Sequence, residues 1–301
     1  MGEIAIILLN YNNANDTLEC VDSIIDNCGL NYKIIVVDNK STDNSREVLK
    51  LNSDKYHLIL SDTNEGFAIG NNIGIQYALE QNIEYIMLLN NDTLIEKGSI
   101  EKLYNYIKEN KDVGAIAPRT MYYPQKDTIW FDGGKIDWMK FTVEHFNMGK
   151  KITDDDVKNQ PMIEEVDFLT GCCILLKSEV FKTVGLLPEE YFMYYEDVDF
   201  SVKIADAGYK LVVLREAKIY HKVSASSGGE DSPFSIKWGN RNRFIFIQKY
   251  KDKGKNIILT YAFFYSSRLI KFSQYLLSGD KSRFNALKEG ITSGRQFTKN
   301  I

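Results

Sequence analysis

The 301-residue sequence lacks most of the features that would mark an exported, disulfide-stapled or membrane-spanning protein. Its four cysteines show neither the paired spacing of a zinc site nor an evident disulfide framework. The first residues lack the basic flank and the cleavage site of a signal peptide. No charge-free apolar stretch is long enough to span a bilayer. We therefore expect a cytosolic protein whose cysteines are reduced core residues.

The sequence also lacks the short motifs of common nucleotide-binding and nucleic-acid-binding proteins. It has neither the glycine fingerprint of a dinucleotide site nor the Gly-Lys-Ser/Thr of a P-loop, which argues against NAD binding and ATP hydrolysis. It has no helix-turn-helix, zinc-finger or RNA-binding signature. Residues 251–301 hold ten basic and three acidic residues, so the rest of the chain carries a net charge of −11 out of a total of −4. Because an acidic body repels a duplex, no nucleic-acid partner is expected.

The basic C-terminal segment predicts contact with a polyanion, and anionic lipid headgroups are one candidate. A solvated basic face on terminal helices is the alternative reading of the same charges. Its most apolar part, 257–277, is interrupted by Arg268 and Lys271, which favours a helix lying in a membrane interface over one that spans the bilayer. A homodimer through the terminal helices is the second arrangement that fits such a segment.

The first 120 residues alternate strand and helix signals, which predicts βαβ units on a mostly parallel sheet. Apolar runs predict strands over 4–9, 33–37, 57–60 and 85–89. Helices are expected from Asp16, after the cap residues Ser41-Thr42-Asp43, over 70–81 and over 99–109. Right-handed crossovers bring the carboxyl ends of such strands to one edge of the sheet, which is where ligands bind in open α/β folds.

Polar residues follow each of the four predicted strands. They are Asn10-Tyr11-Asn12, Asp38-Asn39, Asn64-Glu65-Gly66 and Asn90-Asn91-Asp92. In the last group an apolar strand ends abruptly in two carboxamides and one carboxylate, which are oxygen ligands suited to a hard cation. A simple turn is the alternative, because Asn and Asp favour turns after strands.

The second half of the sequence is less regular. Strands are expected over 114–118, 129–134, 164–176, 210–214 and 218–220, and helices over 178–184 and 196–207. A polar loop is expected over 150–161. The aromatic run 191–195 precedes Glu196-Asp197, and the last predicted strand leads to His221.

Taken in order, these motifs resemble the inverting glycosyltransferases of family 2, and within that family the bacterial rhamnosyltransferase-like enzymes. The resemblance extends over residues 4–246 and includes Arg241-Asn242-Arg243. It implies the GT-A fold of nucleotide-diphospho-sugar transferases, an α/β fold with a mostly parallel Rossmann-like sheet, flanking helices and a C-terminal helical extension. The implied catalytic domain is 1–250, with a nucleotide-sugar half at 1–120 and an acceptor half at 121–250. Residues 251–301 form the extension.

The resemblance also implies roles for individual residues. Asp197 matches the catalytic base, and Glu196 would orient it or bind acceptor hydroxyls. Asp92 with His221 would hold Mg²⁺ or Mn²⁺. The implied nucleotide-sugar-binding residues are Asn10, Tyr11, Asn12, Asp38, Asn39, Asn64, Gly66, Asn71, Asn90, Asn91, Arg241 and Arg243.

Structural roles compete with several of these assignments. Asp197 at a helix start also fits a cap, and Asn64, Gly66 and Asn71 also fit helix-capping positions. Arg241 and Arg243 also fit a charged surface helix. The two remaining histidines, His57 and His145, are expected to be structural.

Two positions depart from the family pattern. Asn90 occupies the position where an acidic residue is commonest, which implies weaker metal binding, and Lys40 stands where a small residue is usual.

The predicted activity is transfer of a sugar from a nucleoside-diphosphate donor to a hydroxyl of a cell-surface polysaccharide or lipid-linked glycan. The resemblance favours dTDP-rhamnose, and a UDP-hexose is the alternative donor. A non-catalytic sugar-binding or scaffold subunit is a competing function. Nucleotidyl transfer is disfavoured because no glycine-rich basic loop follows the first strand. Such an enzyme would work in the cytosol and visit the inner face of the membrane.

Overall fold

The computed structural model describes residues 4–223 and 231–299. Residues 224–229, the serine- and glycine-rich run after His221, lie outside the described part. The described strands are β1 (Ile4–Asn10), β2 (Tyr32–Asp38), β3 (His57–Leu60), β4 (Tyr85–Asn90), β5 (Thr93–Ile95), β6 (Val113–Tyr122), β7 (Ile129–Phe131), β8 (Gly134–Asp137), β9 (Thr142–His145), β10 (Ile163–Glu165), β11 (Cys173–Lys177) and β12 (Lys210–His221).

Ten of these strands form one sheet. Its order is β10-β12-β6-β11-β4-β1-β2-β3, with β5 paired to β12 and β7 paired to β6. The two remaining strands, β8 and β9, pair with each other.

Helices follow the strands of the first half in the order that the sequence predicts, and further helices lie in the rest of the chain. They are α1 (Ala14–Asn27), α2 (Ser45–Leu51), α3 (Phe67–Glu80), α4 (Ser99–Glu109), α5 (Asp155–Lys158), α6 (Ser178–Val184), α7 (Glu196–Asp206), α8 (Pro233–Lys249), α9 (Ile257–Leu277) and α10 (Lys281–Lys299). Strands β3, β2, β1 and β4 are parallel neighbours, which confirms the βαβ arrangement of the first half. Among the described helices, none has both the length and the apolarity needed to cross a bilayer.

Strand β1 is covered on both faces because its alternate side chains meet different helices. Ile6 and Leu8 share a core cluster with residues of α1 and α4. On the other face, Gly70 lets α3 approach closely, since a Cβ there would lie 2.5 Å from Leu9 Cδ1. Gly74 makes the same kind of approach to Ile7. The continuous apolar run 4–9 is therefore a fully buried central strand.

Four local predictions for the second half are wrong. The strand expected over 164–176 is two strands, β10 and β11, because strand pairing stops after Glu165 and resumes at Cys173, with a single bridge at Phe168 between them. The polar loop over 150–161 contains the short helix α5, whose Val157 is buried against Met121 and Ile129. The strand expected over 129–134 is two strands, β7 and β8. The two strands expected over 210–214 and 218–220 are one strand, β12, with an irregular register between them. β12 continues because the charged residue in its middle, Arg215, is buried in an ion pair.

The described residues form two compact units. The first comprises 4–135, 145–192 and 196–223, and it contains the large sheet. The second comprises 136–144, 193–195 and 231–299. In the second unit α10 lies close to α8 at two glycines, since a Cβ at Gly290 would lie 2.5 Å from the Lys237 carbonyl oxygen and one at Gly294 would lie 2.9 Å from that of Arg241. The boundaries expected at 120 and 250 stay predictions about function.

A buried charge network ties β6, β7 and β12 together in the first unit. Asp132, with no exposed surface, accepts hydrogen bonds from Arg119 Nε at 2.9 Å and from Arg215 Nε at 3.1 Å. Asn147 Nδ2 also donates to Asp132 at 2.6 Å. One carboxylate therefore pairs with two buried guanidinium groups, and Glu164, which pairs with the outer side of Arg215, supplies the second negative charge.

We predict that Asp132→Asn lowers the free energy of unfolding by about 3–5 kcal/mol, because it leaves two buried cations facing one neutral side chain. Urea denaturation followed by circular dichroism measures the change. Asp127→Asn is the matched control, because Asp127 forms an exposed pair with Lys151 and its loss should leave stability almost unchanged. Equal stability of the two variants would contradict this account of the network.

Candidate active site

The carboxyl ends of β1, β2 and β4 meet at one edge of the sheet. Asn10 lies opposite Asp38 in the β1–β2 register, and Leu9 lies opposite Asn90 in the β1–β4 register. The polar residues that follow these strands are thereby brought together. This confirms the arrangement expected from right-handed crossovers.

Asp38 is fully buried and anchors the loop after β2. Its carboxylate accepts hydrogen bonds from Arg46 Nε at 2.7 Å, from the Ser41 amide at 3.0 Å and from Asn10 Nδ2 at 2.9 Å. Burial raises the pKa of Asp38, but these hydrogen bonds outweigh it and hold the pKa below the ordinary value. Asp38 is therefore an ionised, preorganised group, and its contact with a nucleobase stays a prediction.

The loop between β3 and α3 packs closely against the segment before α7. Gly66 has φ +93°, and a Cβ there would lie 2.1 Å from the Phe192 carbonyl oxygen. Asn64 Oδ1 accepts from Asn39 Nδ2 at 3.0 Å and from the Gly66 amide at 3.1 Å. Asn71 donates to the Phe67 carbonyl one turn earlier on α3, at 2.9 Å. In this structure Asn39, Asn64 and Gly66 shape the loop together.

A chain of side-chain hydrogen bonds links the end of β1 to the turn after β4. Asn91 Nδ2 donates to Thr17 Oγ1 at 2.9 Å, and Thr17 Oγ1 donates to Asn10 Oδ1 at 2.8 Å. Thr17 lies on α1 and belongs to no motif, so no sequence pattern predicts this role. Tyr11, by contrast, is 44% exposed at the same edge and is accessible to a ligand.

Asp92 and His221 are neighbours, as the resemblance implies. His221 Nε2 lies 3.1 Å from Asp92 Oδ1, because β12 pairs with β5 next to the turn that holds Asp92. The His221 ring meets Trp130 edge-to-face at 4.4 Å between centroids. Its Nδ1 is buried with no hydrogen-bond partner among the described residues.

The Asp92–His221 pair fits a divalent cation by its chemistry. One carboxylate oxygen and one imidazole nitrogen are donors that Mn²⁺ accepts, and a diphosphate would complete the coordination with further hard oxygens. Within the described ranges no cluster of three or more His, Cys, Asp or Glu side chains is assembled for a metal. The described residues therefore offer two metal-coordinating side chains, Asp92 and His221. This number fits a metal whose other coordination positions would be taken by a bound diphosphate.

Asp197 lies at the start of α7 and is held by two backbone amides. Its Oδ2 accepts from the Gly171 amide at 3.0 Å, and its Oδ1 accepts from the Val198 amide at 2.8 Å. The next residue, Cys172, is hydrogen-bonded to β4, since its carbonyl accepts from the Asn90 amide at 2.8 Å. Asp197 is thereby fixed next to the segment that carries Asn90 and Asp92.

The two acidic residues at the start of α7 have perturbed pKa values. Burial raises the pKa of Glu196 well above its ordinary value, and the charge of Asp197 raises it further. Burial also raises the pKa of Asp197, against the lowering effect of its amide hydrogen bonds and of His145. Glu196 Oε2 is buried without a hydrogen-bond partner in the described part of the chain. Glu196 is therefore held neutral more readily than Asp197.

Arg241 and Arg243 belong to the second compact unit. Arg243 is buried and donates to the Lys140 carbonyl, with Nε 3.0 Å from that oxygen, while Arg241 lies over the rings of Trp238 and Phe297. Between them Asn242 Nδ2 donates to the carbonyls of Met193 and Tyr194, at 2.8 and 2.9 Å. The donor-binding role of the two arginines stays a prediction.

A family model described as glycosyl transferase family 2 matches residues 5–185. The chain belongs to glycosyl transferase family 2. Agl10 of Haloferax volcanii, a hexosyltransferase of low-salt glycan biosynthesis, is 26% identical over 249 residues, which are 81% of this chain and 75% of that protein. The dTDP-rhamnosyl transferase RfbF of Shigella flexneri is 26% identical over 227 residues, 73% of this chain and 72% of that protein.

Solved glycosyltransferases share the fold of this family 2 protein. The crystal structure of GalNAc-T7 with UDP, GalNAc and Mn²⁺ matches it with a TM-score of 0.62 at 16% identity, covering 82% of this chain and 48% of that one. The protein is a glycosyltransferase with the GT-A fold, an α/β fold with a mixed, mostly parallel central sheet.

We predict that Glu196→Gln changes how the stability of this glycosyltransferase depends on pH. Because the folded-state pKa of Glu196 is raised above the ordinary 4.5, the wild type loses stability as pH rises from that value towards the folded-state pKa. The glutamine variant lacks this loss, so its stability relative to wild type should grow with pH. Urea denaturation at a series of pH values tests this, and a constant difference across the range would contradict a buried, protonated Glu196.

Proposed function

We propose that this family 2 enzyme is an inverting, metal-assisted transferase that moves a sugar from a nucleoside-diphosphate donor to a hydroxyl of a cell-surface polysaccharide or lipid-linked glycan. The best candidate donor is dTDP-rhamnose. Asp197 is the general base, Glu196 supports it, and Asp92 with His221 holds Mg²⁺ or Mn²⁺. The remaining predicted residues at the sheet edge bind the nucleotide.

The observation that carries the proposal is the position of the Asp197 carboxylate. It is fixed by the Gly171 amide, and the adjoining Cys172 carbonyl is bonded to Asn90 at the end of β4. These contacts support the proposal because they connect the carboxylate proposed as base to the end of β4, two residues before the carboxylate proposed as metal ligand. Inversion needs such a pair, because the hydroxyl attacks on the face opposite the leaving diphosphate.

The surroundings of Asp197 suit a base that works near neutral pH. A carboxylate at a helix N-terminus is stabilised by the helix dipole and by backbone amides, which weakens it as a base. Burial opposes this effect, and the balance raises the pKa of Asp197. Part of the apolar wall is the Phe67 ring, which lies so close to Gly171 that a Cβ there would be 3.0 Å from Phe67 Cε1. Tyr191, from the aromatic run, is instead a core residue bonded to Asp199.

The acidic turn after β4 and the end of β12 supply the metal ligands in this proposal. A divalent cation bound by Asp92 and His221 would neutralise charge that develops on the leaving diphosphate. The protein contributes the orientation of both ligands, because β5 and β12 pair beside them. The site carries little negative charge, because Asn90 is a neutral side chain at the position where the family pattern has an acidic one.

The relatives support two donor classes. The likeness to a dTDP-rhamnosyl transferase favours dTDP-rhamnose, and the likeness to a hexosyltransferase supports a UDP-hexose as the second candidate. An ionised acceptor such as Asp38, at the end of β2, suits the ring N–H that uracil and thymine share. The acceptor assignment follows the low-salt glycan biosynthesis named for one relative.

We predict that Asp197→Asn lowers kcat roughly 10²- to 10⁴-fold while the donor still binds, because the substitution removes the base and almost no volume. Donor turnover and donor affinity are measured separately, by release of nucleoside diphosphate and by calorimetry. Asp206→Asn, an exposed aspartate at the end of α7, is the matched control and should keep wild-type turnover. Unchanged turnover in Asp197→Asn would refute the assignment of the base.

We predict that Asp92→Ala removes the effect of metal on donor affinity. Thermal-shift measurements with dTDP-rhamnose and UDP-hexoses, each with and without Mn²⁺, should show a metal-dependent rise of the midpoint in the wild type. The rise with donor alone should persist in Asp92→Ala, and its metal-dependent part should vanish. Asp62→Asn, an exposed carboxylate after β3, should behave as wild type. A wild-type midpoint indifferent to metal with every donor would contradict the metal assignment.

A further inference from the structure

The helix α9 presents large apolar side chains to solvent. Its only buried residues are Thr260 and Phe264. Seven large apolar side chains of the helix are between 42% and 88% exposed: Ile258, Leu259, Phe263, Leu269, Ile270, Leu276 and Leu277. A helix of a globular protein ordinarily turns its apolar stripe inward and its polar face outward.

The exposed apolar residues form one continuous stripe. At the angular spacing of an α-helix they fall within an arc of roughly 140°, centred on the side opposite Phe264. Only small residues, Ala262, Ser266 and Ser273, share that arc. Over 21 residues the stripe is about 30 Å long. This is an organised surface and not a scatter of single exposed side chains.

Basic residues lie near this stripe, before the helix and on another of its faces. Lys251, Lys253 and Lys255 directly precede the helix, and the exposed Lys271 lies on it. Cations at a helix N-terminus oppose the helix dipole, so the folding of α9 gains nothing from these three lysines. Residues 251–301 as a whole hold ten basic and three acidic residues.

We propose that α9 docks on an anionic lipid surface, with its apolar stripe in the boundary between headgroups and acyl chains and its lysines against the headgroups. A stripe of this length lying in the plane of the interface suits a helix that does not span the bilayer. The positive charge favours an anionic membrane over a second copy of the chain, because a symmetric pair through α9 would bring two segments of like charge together. The docking does not depend on which donor the enzyme uses.

Vesicle flotation of the full chain tests the proposal, with phosphatidylcholine vesicles compared to vesicles in which part of that lipid is phosphatidylglycerol. The wild type should float with the anionic vesicles. The combined substitution Leu259→Ser, Ile270→Ser and Leu277→Ser, along the length of the stripe, should weaken binding about tenfold or more. Leu51→Ser, which alters an 84% exposed leucine at the end of α2, should bind as wild type.

A second set of variants tests the charges. Replacing Lys251, Lys255 and Lys271 by glutamine should weaken binding to the anionic vesicles about tenfold or more and reduce its sensitivity to salt. Because all the altered side chains are exposed, the thermal unfolding midpoint should stay near that of the wild type, which separates lost docking from lost folding. Donor binding should also be unchanged, which separates this proposal from the proposed function.

Three results would overturn the proposal. One is equal flotation of the wild type and the serine variant. Another is equal binding of the wild type to neutral and anionic vesicles. The third is a wild type that ignores vesicles and is a dimer in light scattering, with the serine variant a monomer, which would assign the stripe to a second copy of the chain.

Discussion

The antiparallel pairing of β11 with β4 is the contact on which the candidate site depends. β4 ends at Asn90, whose amide donates to the Cys172 carbonyl at 2.8 Å. The preceding residue, Gly171, donates its own amide to the Asp197 carboxylate at 3.0 Å. Adjacent residues of one loop thus position the end of β4 and the proposed base. A slip of one residue in this register would turn every side chain of β11 to the other face, so the sheet itself fixes the geometry.

Left-handed backbone occurs in two loops at this edge of the sheet and before α7, and elsewhere among the described residues at Asn82, Phe141, Asn147 and Val223. Residues with left-handed φ values occur after β1 at Asn12, after β2 at Lys40 and before α7 at Tyr194 and Tyr195. The positive φ of Lys40 is unfavourable for a residue with a side chain, because its Cβ crowds the backbone in this conformation. The two tyrosines keep this conformation with the help of Asn242, which bonds the Tyr194 carbonyl. Loops with unfavourable backbone conformations are expected where binding of a ligand, and not stability, determines the conformation.

Much of the fold and part of the site could be predicted from the sequence, because they depend on local patterns. Apolar runs predicted the parallel strands, and the strand ends predicted which polar groups would meet. Contacts between distant side chains left no local pattern, so the bridging role of Thr17 was missed. The same holds for Arg215, which lies between the two strands predicted over 210–214 and 218–220 although its burial against Asp132 keeps β12 continuous. The short helix α5 was missed because its single buried apolar residue, Val157, is too weak a signal.

The central claim is that Asp197 is a desolvated base fixed beside the end of β4. The pH dependence of kcat/KM in the wild-type enzyme tests it most directly, because this parameter reports groups of the free enzyme. The account predicts an acidic limb whose pKa lies above the ordinary aspartate value of 3.8, since burial raises the pKa of Asp197. Transfer should therefore fall as pH is lowered towards that pKa. A rate that stays constant through the acidic range would contradict the account.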